Sequence, residues 1–302
     1  MKSTTLRRAG LTIAAVTVLS AVTGCSSGDS GGSEGSKGSK GSGKDGAARF
    51  SPLAALRSAE KSTDAADSAK VESSTTMGSV MSMTADGALG WGDGLTGTLT
   101  ITYTGGTMAE TMRQTGSTSM EARYLPDAYY AKMGDAFAAQ AGGKHWIKYA
   151  YDDLESLAGG SGAYLKDQMQ NTTPNQSVKL LLASGDVRKV GEEKVRGQQT
   201  THYSGTVDVA DLASKNSNLS QKQLDDLKKQ LDQAGVTTET VDIWVNDDDL
   251  LVKKVEKGET TAGAFTQTAY YSDYGTPVSA EEPPASDTAD FAELVQQQGG
   301  TS

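Results

Sequence analysis

The segment Leu95-Thr96-Gly97-Thr98-Leu99-Thr100-Ile101-Thr102-Tyr103-Thr104 alternates without a break between threonine and a glycine or large apolar residue. Residues two apart on a strand share a face. Leu95, Leu99, Ile101 and Tyr103 therefore line one face with Gly97, and the threonines line the other. A strand with one dry and one wet face belongs to an antiparallel sheet, because parallel sheets are covered on both sides. Weaker alternation predicts further strands at Val80 to Leu89, Thr107 to Gln114, Ser119 to Tyr124, Ala128 to Met133 and His145 to Tyr151. Short turns between them make this a meander.

Helices are expected at three places. Ser51 as N-cap and Pro52 at the first helical position open one that runs to about Ala69. A short one covers Pro174 to Ser184. A third starts at Ser220, where Ser220 and Gln223 form a capping box, Leu219 and Leu224 a staple, and Gly235 the stop; Leu224, Leu227 and Leu231 are its apolar face. Strands are expected near Val187 to Val195, Gln199 to Val209, Val241 to Val245, Leu250 to Val255 and Ala264 to Tyr271, with Asn246 to Asp249 as a turn and a short helix ending near Leu294. Helix and strand do not alternate as a parallel α/β fold requires. The fold class is α+β, a strongly curved antiparallel sheet with helices packed on its concave face.

The N-terminus fixes the compartment. Lys2, Arg7 and Arg8 precede an uncharged run from Ala9 to Val22, the layout of a secretory signal peptide. That run is too short to cross a bilayer, which takes about 20 apolar residues. Val22-Thr23-Gly24-Cys25 resembles the bacterial lipobox, so residues 1–24 would be removed and Cys25 would carry a diacylglycerol. Two acyl chains give stable anchoring at about 0.8 kcal/mol per buried CH₂. Residues 25–49 are Gly/Ser-rich and read as a flexible tether, with an r.m.s. span of roughly 25 Å. Residues 50–302 form one domain on the extracytoplasmic face of the cell membrane. Cys25 is the only cysteine, so no disulfide can staple that domain and its core must hold it.

Composition and motifs remove several function classes. The chain has 28 Lys and Arg against 38 Asp and Glu, a net charge of −10, and three of those cations leave with the signal peptide. That excludes nucleic acid as a partner, since phosphate binding relies on clustered basic side chains. His145 and His202 are the only histidines, each in an expected strand, and read as structural. Asp247 to Asp249 lacks the ligand spacing of a calcium loop. The G-x-S-x-G matches at Gly24 to Gly28 and Gly31 to Gly35 have no strand, turn and helix around them. No phosphate loop or dinucleotide fingerprint is present. The chain reads as a binding protein with no catalytic residue, metal or cofactor.

Methionine is unevenly placed. Of nine, seven fall in or beside the first meander: Met77, Met81, Met83, Met108, Met112, Met120 and Met133. Met81 and Met83 would share a strand face, as would Met108 and Met112. Flexible, polarizable thioethers fill irregular gaps in cores and also suit walls that accept varied apolar shapes; both readings stand here.

Three stretches, Val195 to Asp208 (VRGQQTTHYSGTVD), the hairpin Val241 to Lys254, and Tyr271 to Val278 (YSDYGTPV), together with the lipobox and opening helix, resemble the LppX/LprG group of actinobacterial lipoproteins within the LolA-like superfamily. The resemblance spans about Leu53 to Pro284. It implies a half-open barrel whose concave face forms an apolar cavity for lipid or glycolipid acyl chains. Met81, Met83, Leu99, Ile101, Met108, Met112, Leu180, Leu181 and Leu227 are the expected lining. It implies a monomer that transports or presents lipid. The alternative is an envelope sensor that binds a partner protein through the same fold. His202 and Tyr203 match the group's His-Tyr pair and are read as structural.

Overall fold

The threonine-rich alternation forms a strand, β3 (Thr96–Gly105), in a computed structural model that describes residues 51–114, 116–158, 166, 169–170, 173–208 and 235–299. Gly97, Leu99, Ile101 and Tyr103 are buried along it while the threonines stay wholly or partly in solvent. Around it run β1 (Ser68–Met77), β2 (Met81–Gly90), β4 (Ser119–Tyr124), β5 (Ala128–Lys132) and β6 (Trp146–Ala150). A second meander comprises β7 (Arg188–Val195), β8 (Gln198–Asp208), β9 (Thr238–Asn246), β10 (Leu251–Thr260) and β11 (Gly263–Ser272). A three-residue strand, β12 (Thr288–Asp290), pairs parallel with β6.

All twelve belong to one sheet, ordered β12-β6-β5-β4-β3-β2-β1-β11-β10-β9-β8-β7. The two meanders join where β1 pairs antiparallel with β11, from Lys70 opposite Ser272 to Met77 opposite Phe265. The sheet is curved and unclosed. Its two edges are the charged strand β7 and the very short β12, both poor templates for unwanted pairing.

Helices cover the inner face. α1 (Pro52–Ala65) begins as expected, with the Ser51 hydroxyl accepting from the Ala54 amide at 3.2 Å and Pro52 in the first turn. It docks on the β9–β10 turn: the Ser58 hydroxyl donates to Asp249 at 2.6 Å, and the buried Thr63 hydroxyl accepts from the Leu251 amide at 3.2 Å. α2 (Gly106–Gln114) lies against β2 and β3. α3 (Asp135–Ala138) and α4 (Tyr151–Ala158) flank β6 in sequence. α5 (Pro174–Ser184), at the bounds expected from sequence, packs on α1, β8, β9 and β10, and Asn175 of α5 donates to Asp64 of α1. α6 (Phe291–Gly299) closes the described chain.

Three expectations change. The opening helix stops at Ala65, and Asp67, with φ of 60°, turns the chain into β1. That strand escaped notice because its inward side carries Ser73 and Thr75 between Val71 and Met77, which leaves little apolar period. Thr107 to Gln114 is helix, not strand. Gly106, with φ of 81°, redirects the chain out of β3, and β4 takes the pairing slot beside it. Met108 and Met112 still share a face, because residues four apart stack on a helix. The strand expected up to Tyr151 ends at Ala150; Asp152 and Asp153 fall in the first turn of α4, where carboxylates suit the helix dipole. The helix expected from Ser220 lies outside the described residues.

Two glycines let β2 and β3 approach. Gly97 has φ of 143°, and a Cβ there would sit 2.2 Å from the Ala88 carbonyl oxygen; Gly87, φ 155°, would meet the Thr98 oxygen at 2.1 Å. Gly97→Ala is expected to destabilise the domain by about 2 kcal/mol or more. Gly191→Ala, where a Cβ meets nothing within 4 Å, should stay within about 0.5 kcal/mol of the parent. Urea midpoints of the two variants check both.

Candidate functional site

Alternate residues of nearly every strand turn inward and meet α1, α2 and α5 in one continuous apolar cluster. Leu56 and Ala59 come from α1, Ala109 and Met112 from α2, and Val178, Leu180 and Leu181 from α5. Of the lining expected from sequence, Met81, Leu99, Ile101, Met112, Leu180 and Leu181 are in this cluster, each no more than 8% exposed. Met83 and Met108 are half-buried against it. Leu227 lies outside the described residues. The structure thus brings eight of the nine together, packed among the chain's own side chains.

The methionines share an end of the sheet as well as a face. In an antiparallel meander, the end of one strand neighbours the start of the next. Met77 ends β1, Met81 and Met83 start β2, Met120 starts β4 and Met133 follows β5. Met108 and Met112 ride on α2, which leaves the end of β3. Met81 and Met112 are buried in the cluster, and the other five are half-buried at its rim. A methionine rim therefore borders one end of the curved sheet.

The same end carries an unexpected polar group on the inner face. Glu256 of β10 is 0% exposed; its oxygens each accept from the Lys254 ammonium at 3.0 Å, and Oε1 also accepts from the Ser177 hydroxyl of α5 at 2.6 Å. Beside it, Glu239 of β9 is 5% exposed and its Oε1 has no hydrogen-bond partner. On the other side, Gln267 of β11 lies opposite Glu256 in the register. Its Nε2 donates to the Thr75 hydroxyl at 3.4 Å, and its Oε1 is unpartnered. The register runs from Glu239 through Gly258 to Phe265 and on to Met77, which places this group against the methionine rim. Burial, and then the nearby Glu256, push the Glu239 carboxyl well above its ordinary 4.5, with Lys254 opposing. These residues were not singled out from the sequence. Their parity was the available signal: Glu239 is in phase with Val241 and Ile243, and Gln267 with Phe265, Ala269 and Tyr271.

The other half of the interior is aromatic. Tyr124 and Tyr129 meet edge-on at 5.1 Å between ring centroids, Tyr149 follows at 5.8 Å, and Phe291 of α6 completes the row at 4.7 Å. Burial raises the Tyr124 and Tyr149 phenols to about 12, with Tyr103 adding to each. They remain neutral donors.

Both histidines make packing and tethering contacts. His202 stacks on Trp244 of the outer face at 4.1 Å and bonds Asp242 at 2.9 Å through Nε2. His145, just before β6, donates its backbone amide to Asp287 Oδ1 at 2.8 Å, and its Nδ1 lies 2.8 Å from the same oxygen, which ties the β12 segment to the sheet. Among the described residues no group of three or more His, Cys, Asp or Glu could hold a metal ion, and no helix is long and apolar enough to cross a membrane.

No family profile matches the chain. A 31.2 kDa Streptomyces griseus protein encoded in the rplA-rplJ intergenic region is 61% identical over 255 residues, 84% of each chain. The Streptomyces coelicolor protein "Putative lipoprotein SCO4650" is 54% identical over 314 residues, covering 99% of this chain and 100% of that one. The chain belongs to the family of these two proteins. Among solved structures it is similar to the Mycobacterium tuberculosis lipoprotein LppX, at 17% identity and a TM-score of 0.47 over 76% of this chain and 98% of that one.

The polar group makes stability depend on pH in a defined direction. Glu239 stays protonated in the fold at pH values where it ionises in the unfolded chain. Its contribution is whole below about 4.5 and declines as pH rises from there towards the folded value. Glu239→Gln cannot ionise. Relative to the parent, it is expected to gain urea midpoint between pH 4 and pH 7; a constant difference across that range would contradict the assignment.

Proposed function

We propose that this protein is a lipoprotein, anchored through Cys25 to the extracytoplasmic face of the cell membrane, that takes up lipid or glycolipid acyl chains between its curved sheet and its helices for transport or presentation. The observation that carries the reading is the methionine rim at one end of a continuous apolar interior. Side chains there can be displaced by apolar chains of varied shape at little cost, because thioethers change rotamer easily. Each methylene that leaves water contributes about 0.8 kcal/mol. The lipobox sequence and the name of the S. coelicolor relative support the anchor. The protein acts as a monomer and by binding, with no catalytic step or cofactor.

One observation favours a second reading, an envelope sensor that engages a partner protein through the same fold. The expected lining residues are buried by the chain's own side chains, so the interior is closed until the rim or the helices move.

Two measurements test this. Labelled palmitate should enter the parent protein, and Cys25→Ser should abolish both the label and membrane retention. Native mass spectrometry of the full-length Cys25→Ser protein from its own host should show co-purifying lipid. Absence of bound lipid together with no uptake of a fluorescent fatty acid would leave the sensor reading standing and the acyl-binding one refuted.

A further inference from the structure

Two side-chain oxygens at the methionine end of the interior lack a hydrogen-bond partner: Glu239 Oε1 and Gln267 Oε1. Both residues are more than nine-tenths buried, at 5% and 8% exposure. A buried polar atom left unpaired costs about 1–3 kcal/mol, and most such atoms in native proteins have a partner. Two of them flank one ion pair, and neither can turn to water without leaving the interior.

Their surroundings set the chemistry of the missing partner. The Gln267 amide oxygen only accepts, whereas a carboxyl held towards its neutral form can accept or donate, so the partner must donate to Gln267, and a hydroxyl, which does both, suits Glu239 in either role. The Lys254 ammonium already sits within 3.0 Å of both Glu256 oxygens, and the neighbouring Glu239 carboxyl is held towards its neutral form by burial. A second cation would meet Lys254 without a dedicated counter-charge, whereas a neutral hydroxyl meets no such repulsion. The two oxygens stand on β9 and β11, two strand spacings apart and two residues out of step, about 12 Å at the backbone. On β10 Gly258, opposite Glu239, contributes no side chain, and Glu256 stands opposite Gln267. One group cannot serve both; a partner with more than one hydroxyl can. The methionine rim adjoins this place through the pairing of Phe265 with Met77.

We infer that Glu239 and Gln267 form a subsite for the hydroxyl groups of a polyhydroxylated lipid headgroup, glycerol or sugar, held at the mouth while the acyl chain enters past the methionines. The inference rests on the acyl-binding reading above and narrows its ligand to lipids that carry free hydroxyls. Ser177 and Lys254 act as positioning residues, holding Glu256 so that the oxygens on either side stay open to the ligand.

The test uses the full-length Cys25→Ser protein and three probes of one chain length: 1-monooleoylglycerol, methyl oleate and oleylamine. Affinities are read by native mass spectrometry and by displacement of a fluorescent fatty acid. Monooleoylglycerol should bind at least about tenfold more tightly than methyl oleate, the equivalent of one rescued buried group at about 1.4 kcal/mol. Glu239→Met and Gln267→Met, similar in volume and each sufficient alone should the other not fold, are expected to bring that ratio close to one. Equal binding of the two probes to the parent, or a ratio kept in the folded variants, overturns the subsite while leaving acyl binding intact. Tighter binding of oleylamine than of monooleoylglycerol overturns the hydroxyl assignment. Binding of none of the three overturns the acyl-binding reading and this inference with it.

Discussion

The pairing of β1 with β11 makes this a single structure. Each meander alone is a local ladder of neighbouring strands, and neither has a second layer that would bury its inner face. Eight residue pairs from Lys70 opposite Ser272 to Met77 opposite Phe265 bridge nearly two hundred residues of chain. Once they form, inner faces of both halves look onto the same space, and α1 and α5 can cover it together. The contacts that follow depend on that seam. Thr63 of α1 reaches Leu251 of β10, and the Tyr274 hydroxyl, just after β11, donates to the Leu251 carbonyl at 2.6 Å.

That seam is also where the interior ceases to be uniformly apolar. Across β1, β11, β10 and β9 the inward residues at the methionine end are Thr75, Gln267, Glu256 and Glu239. A buried ion pair such as Lys254 with Glu256 is weak evidence for stability, because desolvation of both groups opposes their attraction. It does fix position. With Ser177 of α5 donating to Glu256 at 2.6 Å, the pair sets where α5 lies on β10 more narrowly than leucines alone would. The far half of the interior, with its row of tyrosines, has no comparable charge among the described residues.

Much of this architecture was legible in the chain, for a physical reason. Where one face is wet, alternation is strict, and β3 and β11 announce themselves through Leu99, Ile101 and Tyr103 or Phe265, Ala269 and Tyr271. The bounds of α5, Pro174–Ser184, were also legible. What failed was reading period without tertiary context. β1 uses Ser73 and Thr75 where an apolar residue would have revealed it, and α2 carries Met108 and Met112 at a spacing that fits helix as well as strand. Of the candidate site, the apolar lining was readable because methionine and leucine are apolar wherever they point. The buried polar group was not, because a glutamate in a strand is ordinarily outside. Only the register, which places Glu239 in step with Val241 and Gln267 in step with Ala269, turns them inward.

The cost of that arrangement gives it a direction. At this end of the interior Glu239 Oε1 and Gln267 Oε1 have no hydrogen-bond partner, and burial holds the Glu239 carboxyl towards its neutral form, each lowering the stability of the domain. A ligand that brings hydroxyls to those oxygens removes the penalty as well as burying its own chain. Its binding then stabilises the folded protein by more than an equally long chain without hydroxyls could, since stabilisation follows affinity for the folded state alone. On the proposed reading, the polar residues that weaken the interior are the ones that would select the headgroup.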